Sequence, residues 1–223
     1  MQAPGGIIFD FDGVLLESEL EGNSRIAEVL TEIGHETTLD EALDHYVGLS
    51  GHDFVSAVEA RIGSDLPAQF HVRMKQLSIR ALREGIAEVA GAVEFVRSLP
   101  PSLPVAIASS SSTKWLRGHL RHLGLEEAFS DHVYSGREHV ERSKPAPDVY
   151  LHAAQQLGVA IAECAIIEDS RVGATGALAS GARVIGFAGA SHCRDGHANM
   201  LRNVGVREIA HNFEELRSLL ALI

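Results

Sequence analysis

The sequence predicts an α/β fold: a doubly wound parallel, Rossmann-like sheet with an inserted α-helical domain. The run Gly6–Phe9 is apolar and rich in β-branched residues, as in a strand buried on both faces of a parallel sheet. From Ala90 onward, short apolar runs alternate with amphipathic helical segments, which favours a parallel sheet covered by helices on both faces. Between Ser18 and Gly85 the apolar residues recur at helical spacing without a strand pattern. This stretch is therefore expected to be a helical insertion.

The individual elements follow from periodicity and from glycine and proline stops. The insertion is expected to contain three helices, with apolar stripes at Ile26–Ile33, Val55–Ile62 and Met74–Leu82. The later strands are predicted at Leu103–Ala108, His132–Tyr134, Cys164–Ile167, Ala182–Phe187 and Val206–Ile209. The helices of this part are predicted at Val93–Leu99, Thr113–Leu123, Pro147–Leu157, Val172–Ala179 and Phe213–Leu220. Residues 1–15 with 87–223 should form the α/β core, and residues 16–86 the helical insertion.

The composition and net charge of the chain limit the classes of protein and partner to be expected. A chain of 223 residues with 45% hydrophobic and 22% charged residues can bury a full core beside a small second domain. The net charge of -11 repels nucleic acid and anionic membranes, so neither is an expected partner. Two cysteines are too few for a disulfide framework, and Cys164 is expected to be a buried thiol. With no secretory leader and no apolar membrane span in the sequence, we expect a cytoplasmic protein.

Two aspartates follow the first predicted strand. Asp10 and Asp12 lie at its carboxyl end, where open α/β sheets bind ligands, and Gly13 lets the chain turn away without a Cβ clash. Successive strand residues point to opposite faces, so the two carboxylates can perform different tasks. The alternative interpretation is a strand that ends in a solvated acidic turn.

Two further polar positions are expected at the same edge of the sheet. Ser109 ends the second predicted strand just before a helix, where a hydroxyl and the free N–H groups of residues such as Ser110 can bind an anion. A serine-rich helix cap is the other explanation. Lys144 lies next to Pro145, in a segment whose two prolines fix the backbone, so its charge can be held on a phosphate or between carboxylates. A solvated surface lysine is the alternative.

The strand predicted at Cys164–Ile167 also ends in acidic residues. Glu168 and Asp169 follow it directly and precede Ser170. Together with the Asp10 carboxylate and the Asp12 carbonyl they would offer the hard oxygen ligands that Mg²⁺ prefers. A second solvated acidic turn remains the alternative interpretation.

The ordered set Asp10-Phe11-Asp12-Gly13-Val14, Ser109, Lys144 and Glu168-Asp169-Ser170 resembles the four motifs of the haloacid dehalogenase superfamily, in its phosphatase and β-phosphoglucomutase-like branch. The resemblance covers nearly the whole chain, because the helical insertion resembles the small cap domain of that family. Four motifs in order, each at the expected strand end or loop, are much more specific than one.

The resemblance implies a Mg²⁺-dependent phosphatase that acts on a small phosphomonoester, such as a sugar phosphate. Asp10 would attack phosphorus and form an aspartyl-phosphate, and Asp12 would act as general acid and then as general base. Lys144 would balance the charge of nucleophile and phosphate, while Ser109 and Ser110 would hold a phosphoryl oxygen.

The resemblance also implies the remaining ligands of the site. Gly13 would lie against the phosphate, and Mg²⁺ would be held by the carboxylates of Asp10, Glu168 and Asp169 and by the Asp12 carbonyl. A phosphate dianion can approach a carboxylate only where cations neutralise the repulsion, which is the task expected of Mg²⁺ and of the lysine.

Two alternatives stay open at this point. A β-phosphoglucomutase-type phosphomutase shares the Glu-Asp-Ser motif, but such mutases carry a histidine and a phosphate-binding arginine where this chain has Gly22 and Gly51, so hydrolysis is favoured. A non-catalytic phosphate-binding or regulatory protein on the same scaffold would not need both a nucleophile and an acid. The family's dehalogenases lack an acid at the position of Asp12, so that residue favours phosphoryl transfer.

Substrate selection is expected from residues near the start of the cap, Glu17 and Ser18, and from His52. Capping of the first cap helix is an equally good explanation for Glu17. The Gly189–His197 loop also follows a predicted strand, but its histidines are of the kind usually found at the surface, and no role is predicted for it. The protein is expected to be a monomer or a homodimer.

Overall fold

The computed structural model describes residues 3–47, 49 and 51–222, without the side chains of 51–53. The chain separates into two compact units, residues 1–17 with 87–223 and residues 18–86. In the described part of the smaller unit the helices are α1 (Ser18–Glu32), α2 (Leu39–Tyr46), α3 (Gly51–Ile62) and α4 (Ala68–Glu84). Their apolar stripes meet in a core of their own, in which Leu30, Tyr46 and Phe70 are almost fully buried.

The larger unit contains a six-stranded, all-parallel sheet. Its strands are β1 (Gly6–Phe9), β2 (Val105–Ser109), β3 (Val133–Ser135), β4 (Cys164–Glu168), β5 (Arg183–Phe187) and β6 (Glu208–Ala210). They are arranged in the order β3-β2-β1-β4-β5-β6. The chain therefore winds outward in one direction from β1 to β3 and in the other from β4 to β6, which confirms the doubly wound fold.

Helices cover both faces of this sheet. In the described part of the larger unit they are α5 (Ala92–Arg97), α6 (Thr113–Leu123), α7 (Glu126–Phe129), α8 (Asp148–Leu157), α9 (Arg171–Ser180), α10 (His197–Val204) and α11 (Phe213–Leu219). On one face Phe9 packs edge-to-face against Phe95 and Phe129, with ring centroids 6.2 and 6.0 Å apart. On the other face Ile8 lies in a buried cluster with Tyr150. A 3-10 turn over Ile161–Glu163 leads into β4.

The strand register brings three strand ends to one level. Phe9 pairs with Ile107 of β2 and with Ile167 of β4, so β1 lies between these two strands. The residues that follow Phe9 therefore emerge at the switch point of the sheet, where ligands bind in doubly wound folds. The backbone N–H of Asp10 continues the ladder by donating to the Ile167 carbonyl at 2.9 Å.

Three helices were not predicted, namely α2, α7 and α10. For α2 the sequence carried a usable signal: Thr38 accepts a hydrogen bond from the Glu41 N–H, and the Glu41 carboxylate accepts one from the Thr38 N–H. This capping box satisfies two backbone donors that a helix start would otherwise leave unpaired. Among the described residues, no helix is both long and apolar enough to cross a membrane.

Candidate active site

Acidic and hydroxyl side chains gather at the switch point. Asp10 follows β1 directly, Ser109 is the last residue of β2, and Glu168 is the last residue of β4. Asp10, Ser109, Glu168 and the adjacent Asp169 are all buried. Because these strands are neighbours in the sheet, residues more than 150 positions apart in sequence lie in one site.

Lys144 lies between two of these carboxylates. Its Nζ donates to Asp10 Oδ1 and to Glu168 Oε1, both at 2.6 Å, and its side chain is only 3% exposed. Burial alone would lower the pKa of Lys144, but the carboxylates of Asp10 and Glu168 outweigh burial and hold that pKa well above the usual value. The lysine is therefore a fixed cation, and the solvated surface position considered for it does not apply.

Glu168 is saturated by groups of the protein itself. Its Oε1 accepts from Lys144 and, at 2.7 Å, from the Tyr150 hydroxyl, and its Oε2 accepts from the N–H and Oγ of Ser170, both at 3.0 Å. Gly173 lets α9 approach this closely, because a Cβ there would lie 1.7 Å from Glu168 Oε1. The geometry makes Glu168 primarily the anchor of Lys144.

Asp169 is held differently. Its Oδ2 lies 3.1 Å from His192 Nε2, whereas its Oδ1 is buried without a hydrogen-bond partner. A buried carboxylate oxygen without a partner carries a desolvation cost that a bound cation would remove. Gly13, with φ +77°, is required beside it, since a Cβ at that position would lie 2.1 Å from Asp169 Oδ2.

The charges of this site fit a divalent cation. Asp10, Glu168 and Asp169 each offer a carboxylate oxygen, and these oxygens lie within 4.8 Å of one another. Burial raises the pKa of Asp10 and of Asp169 well above the ordinary value for aspartate, and the Glu168 carboxylate raises both further. Negative charge thus exceeds positive charge in a buried space lined by hard oxygen donors, which is what a Mg²⁺ site requires.

Asp12 faces a different set of donors. Its Oδ2 accepts from the hydroxyls of Ser109 at 3.2 Å and Ser111 at 2.6 Å, and its Oδ1 accepts from the Trp115 indole N–H at 3.1 Å. Ser109 Oγ in turn accepts the backbone N–H of Ser111 at 3.0 Å. The structure thus brings Asp12 to the predicted serine-rich helix start, while Ser110 is half-buried beside it.

The remaining predicted residues are placed as follows. Glu17 belongs to the larger unit, and its carboxylate accepts the N–H of Ser191 at 3.0 Å and the Ser191 hydroxyl at 2.9 Å. Ser18 is the first residue of α1 in the smaller unit. The His52 side chain lies outside the described part of the chain. The roles proposed for these three residues stay predictions.

The sequence did not predict the contacts that Ser111, Trp115, Tyr150 and His192 make in the site. His192 was expected at the surface, yet it is buried with its Nε2 facing Asp169. The nearby His197 places its Nε2 2.8 Å from the Asp169 backbone oxygen. The available signal was position: this loop follows the carboxyl end of β5, which lies next to β4 in the sheet.

The fold and the site together define an α/β protein whose acidic, lysine-bearing site lies at the switch point, where doubly wound enzymes have their active sites. The chain belongs to the haloacid dehalogenase-like hydrolase family, whose profile matches residues 7–187. Fructose-1-phosphate phosphatase YqaB of Escherichia coli (strain K12) is 31% identical over 179 residues, which cover 79% of this chain and 92% of that protein. The family and its named phosphatases identify the chain as a phosphoric monoester hydrolase.

Solved structures agree with the membership of this family. A conserved haloacid dehalogenase-like protein of unknown function from Agrobacterium tumefaciens str. C58 is 33% identical and superposes with a TM-score of 0.87, covering 96% of both chains. A HAD family hydrolase from Deinococcus radiodurans R1, solved with bound phosphate and sodium, is 32% identical with a TM-score of 0.84. The second match covers 99% of this chain and 96% of that chain.

Proposed function

We propose that the protein is a Mg²⁺-dependent phosphatase that hydrolyses a small sugar phosphate through an aspartyl-phosphate on Asp10. The observation that carries the proposal is the buried Lys144 ammonium group, 2.6 Å from both Asp10 and Glu168. A carboxylate nucleophile must meet a phosphate dianion, and a cation already fixed on the nucleophile reduces that repulsion without reorganisation.

Asp10 is the nucleophile in this proposal. Lys144 binds its Oδ1 and so fixes the orientation of the carboxylate at the end of β1. Attack of an Asp10 oxygen on phosphorus forms the acyl-phosphate bond and breaks the bond between phosphorus and the sugar oxygen. Lys144 keeps its proton throughout, because its pKa is held well above the usual value by the carboxylates of Asp10 and Glu168 against the effect of burial.

Asp12 supplies the proton chemistry. The departing sugar oxygen takes a proton from Asp12, and the resulting carboxylate then removes a proton from the water that attacks phosphorus. This attack breaks the bond between the Asp10 oxygen and phosphorus, which regenerates the Asp10 carboxylate and releases inorganic phosphate. Ser109, Ser111 and Trp115 donate to both Asp12 oxygens and hold the carboxylate in place between these two steps. Each of these two serine hydroxyls has a single proton, so either can turn from Asp12 and donate to a phosphoryl oxygen instead when substrate binds.

Asp10 and Asp169 are the residues proposed to hold Mg²⁺, with Glu168 and the Asp12 carbonyl beside them. When bound, the ion supplies positive charge that offsets the repulsion between phosphate and carboxylates. Asp169 Oδ1, which is buried without a hydrogen-bond partner, is the oxygen that a bound cation would stabilise most. Glu168 already accepts four hydrogen bonds, one of them from Lys144, so its charge is balanced mainly by the lysine rather than by the metal ion.

The proposed substrate class is a phosphorylated sugar or a related small metabolite. It is supported by the relative named fructose-1-phosphate phosphatase, with which this chain shares 31% identity. The cytoplasmic location and the monomeric or homodimeric state stay predictions from the sequence.

The first test is phosphate release from a panel of sugar phosphates with Mg²⁺, with and without EDTA. β-Glucose 1-phosphate is included with a coupled assay for glucose 6-phosphate. Phosphate release that EDTA abolishes supports the hydrolase. Glucose 6-phosphate formed without phosphate release would show a mutase, and binding without turnover of any substrate would show a phosphate-binding protein.

The second test is Asp10→Asn. It removes the nucleophile and one negative charge, so we expect turnover to be lost while the far-UV circular dichroism spectrum is unchanged. Asp131→Asn is the matched control, because the Asp131 side chain is fully exposed in the same unit. Mg²⁺-dependent hydrolysis by Asp10→Asn at the wild-type rate would refute the mechanism.

A further inference from the structure

The loop after β5 carries a cluster of metal-ligating side chains that the proposed phosphatase reaction does not use. His192, Cys193 and His197 each offer one ligand atom, and these three atoms lie within 4.8 Å of one another. His192 is buried, and the other two residues are half-buried. The two imidazole rings meet edge-to-face with centroids 5.3 Å apart.

Two distances from His192 Nε2, to Cys193 and to Asp169, match the spacing of ligands around a tetrahedral cation. Cys193 Sγ lies 3.6 Å from His192 Nε2. Bond lengths of about 2.3 Å to sulfur and about 2.0 Å to nitrogen place these two ligands roughly 3.5 Å apart around tetrahedral Zn²⁺. The same His192 nitrogen lies 3.1 Å from Asp169 Oδ2, close to the roughly 3.3 Å expected between nitrogen and oxygen ligands of one zinc ion.

The cluster is also anchored. His197 begins α10 and places its Nε2 2.8 Å from the Asp169 backbone oxygen. On the other side, the Glu17 carboxylate binds both the N–H and the hydroxyl of Ser191, immediately before His192. The loop is therefore fixed at both ends of the cluster, which lowers the entropy lost when a metal is bound.

We propose that His192, Cys193 and His197 form a second cation site that takes a thiophilic divalent metal such as Zn²⁺, with Asp169 as a shared ligand. Thiolate and imidazole donors favour Zn²⁺ over Mg²⁺, whereas the all-oxygen site beside it favours Mg²⁺. A zinc ion bound by Asp169 would compete with Mg²⁺ for that carboxylate. This consequence rests on the proposed function, and it predicts that Zn²⁺ inhibits hydrolysis.

The test of binding uses Co²⁺ as a spectroscopic probe, with the full chain kept free of Mg²⁺ so that Asp169 is available. We expect a thiolate-to-cobalt charge-transfer band in the near ultraviolet that corresponds to one sulfur-bound Co²⁺ per chain, and loss of that band when Zn²⁺ is added. Cys193→Ser should abolish the band and weaken Zn²⁺ binding by roughly tenfold or more. Cys164→Ala, which removes the other thiol, should retain both.

A second readout needs no variant. Zn²⁺ should protect Cys193 of the wild-type protein from alkylation, with the modified thiol identified by peptide mass spectrometry. Absence of the charge-transfer band, its persistence in Cys193→Ser, or alkylation at the same rate with and without Zn²⁺ would each overturn the site. These readouts do not depend on phosphatase activity, so their failure is distinguishable from failure of the proposed function. Zn²⁺ inhibition that persists in Cys193→Ser would refute the sharing of Asp169.

Discussion

The two sides of the site differ in how their charges are balanced. On the Lys144 side, Glu168 accepts four hydrogen bonds from the protein, two of them on each oxygen. On the Asp169 side, the neighbouring carboxylate has one oxygen near His192 and the other buried without a partner. Glu168 and Asp169 are consecutive in the chain, so this contrast arises from what the rest of the fold brings to each side.

The difference shows how one strand end can serve two purposes. The Lys144 side is complete within the protein and is a preformed electrostatic element. On the Asp169 side an ionised carboxylate is unfavourable in the absence of a cation, since burial and then the Glu168 carboxylate raise the pKa of Asp169. Functional sites commonly lower the stability of the fold until their ligand binds. Three substitutions test this contrast.

The largest effect is expected from Lys144→Met, which removes the cation from the balanced side. Breaking a buried ion pair leaves uncompensated charge and costs about 3–5 kcal/mol of unfolding free energy. We expect kcat to fall by roughly a hundredfold to a thousandfold as well. Chemical denaturation and phosphate release measure the two effects. Lys114→Met is the control, because Lys114 is exposed in the same unit; equal stability of both variants would disprove the charge balance described for Lys144.

Asp169→Asn should act in the opposite direction on stability. Without Mg²⁺ the variant is expected to be more stable than the wild type at pH 7 by about 1–2 kcal/mol, and to lose the rise in Tm that Mg²⁺ causes. Because the folded-state pKa of Asp169 is raised, this carboxyl lowers the stability of the metal-free fold progressively as the pH rises from its unfolded pKa to its folded pKa. The advantage of the variant should therefore vanish as the pH falls below the unfolded value of about 3.9. A stability difference that grows towards acidic pH would contradict this account.

Trp115→Phe should lower kcat less than Lys144→Met does, because it removes a donor to Asp12 Oδ1 but keeps a ring against His119, whose centroid lies 4.2 Å away. A hydrogen bond to a charged group contributes about 1.5–3 kcal/mol, so kcat should fall by roughly tenfold to a hundredfold. Because Trp115 acts through Asp12, KM should change little. A rise in KM at constant kcat would show instead that the indole binds substrate.

The fold could be predicted from sequence because its signals are local. β1 and β4 are continuous apolar runs, and each ends in carboxylates that mark the sheet edge. The helix over Thr113–Leu123 was predicted with the observed bounds, since Ser112 caps its start and Gly124 ends it in the left-handed conformation. These devices act within a few residues and are visible without the tertiary structure.

The partners of the acidic residues were not visible in the same way. Trp115 reaches Asp12 across 103 positions, and Tyr150 reaches Glu168 from inside α8. His192 is buried by packing against Asp169 rather than by any pattern of its own loop. Such contacts depend on how strands and helices meet, so only the structure supplies them.

The most direct test of the central claim is to trap the phosphorylated enzyme. Wild-type protein turning over an aryl phosphate with Mg²⁺ is quenched in acid, and the peptide that contains Gly6–Val14 is examined by mass spectrometry. The account predicts a phosphoryl group on Asp10 that disappears when EDTA is present from the start. A phosphoryl group on any other residue, or rapid turnover of wild-type protein and of Asp12→Asn without a phosphorylated peptide, would contradict it.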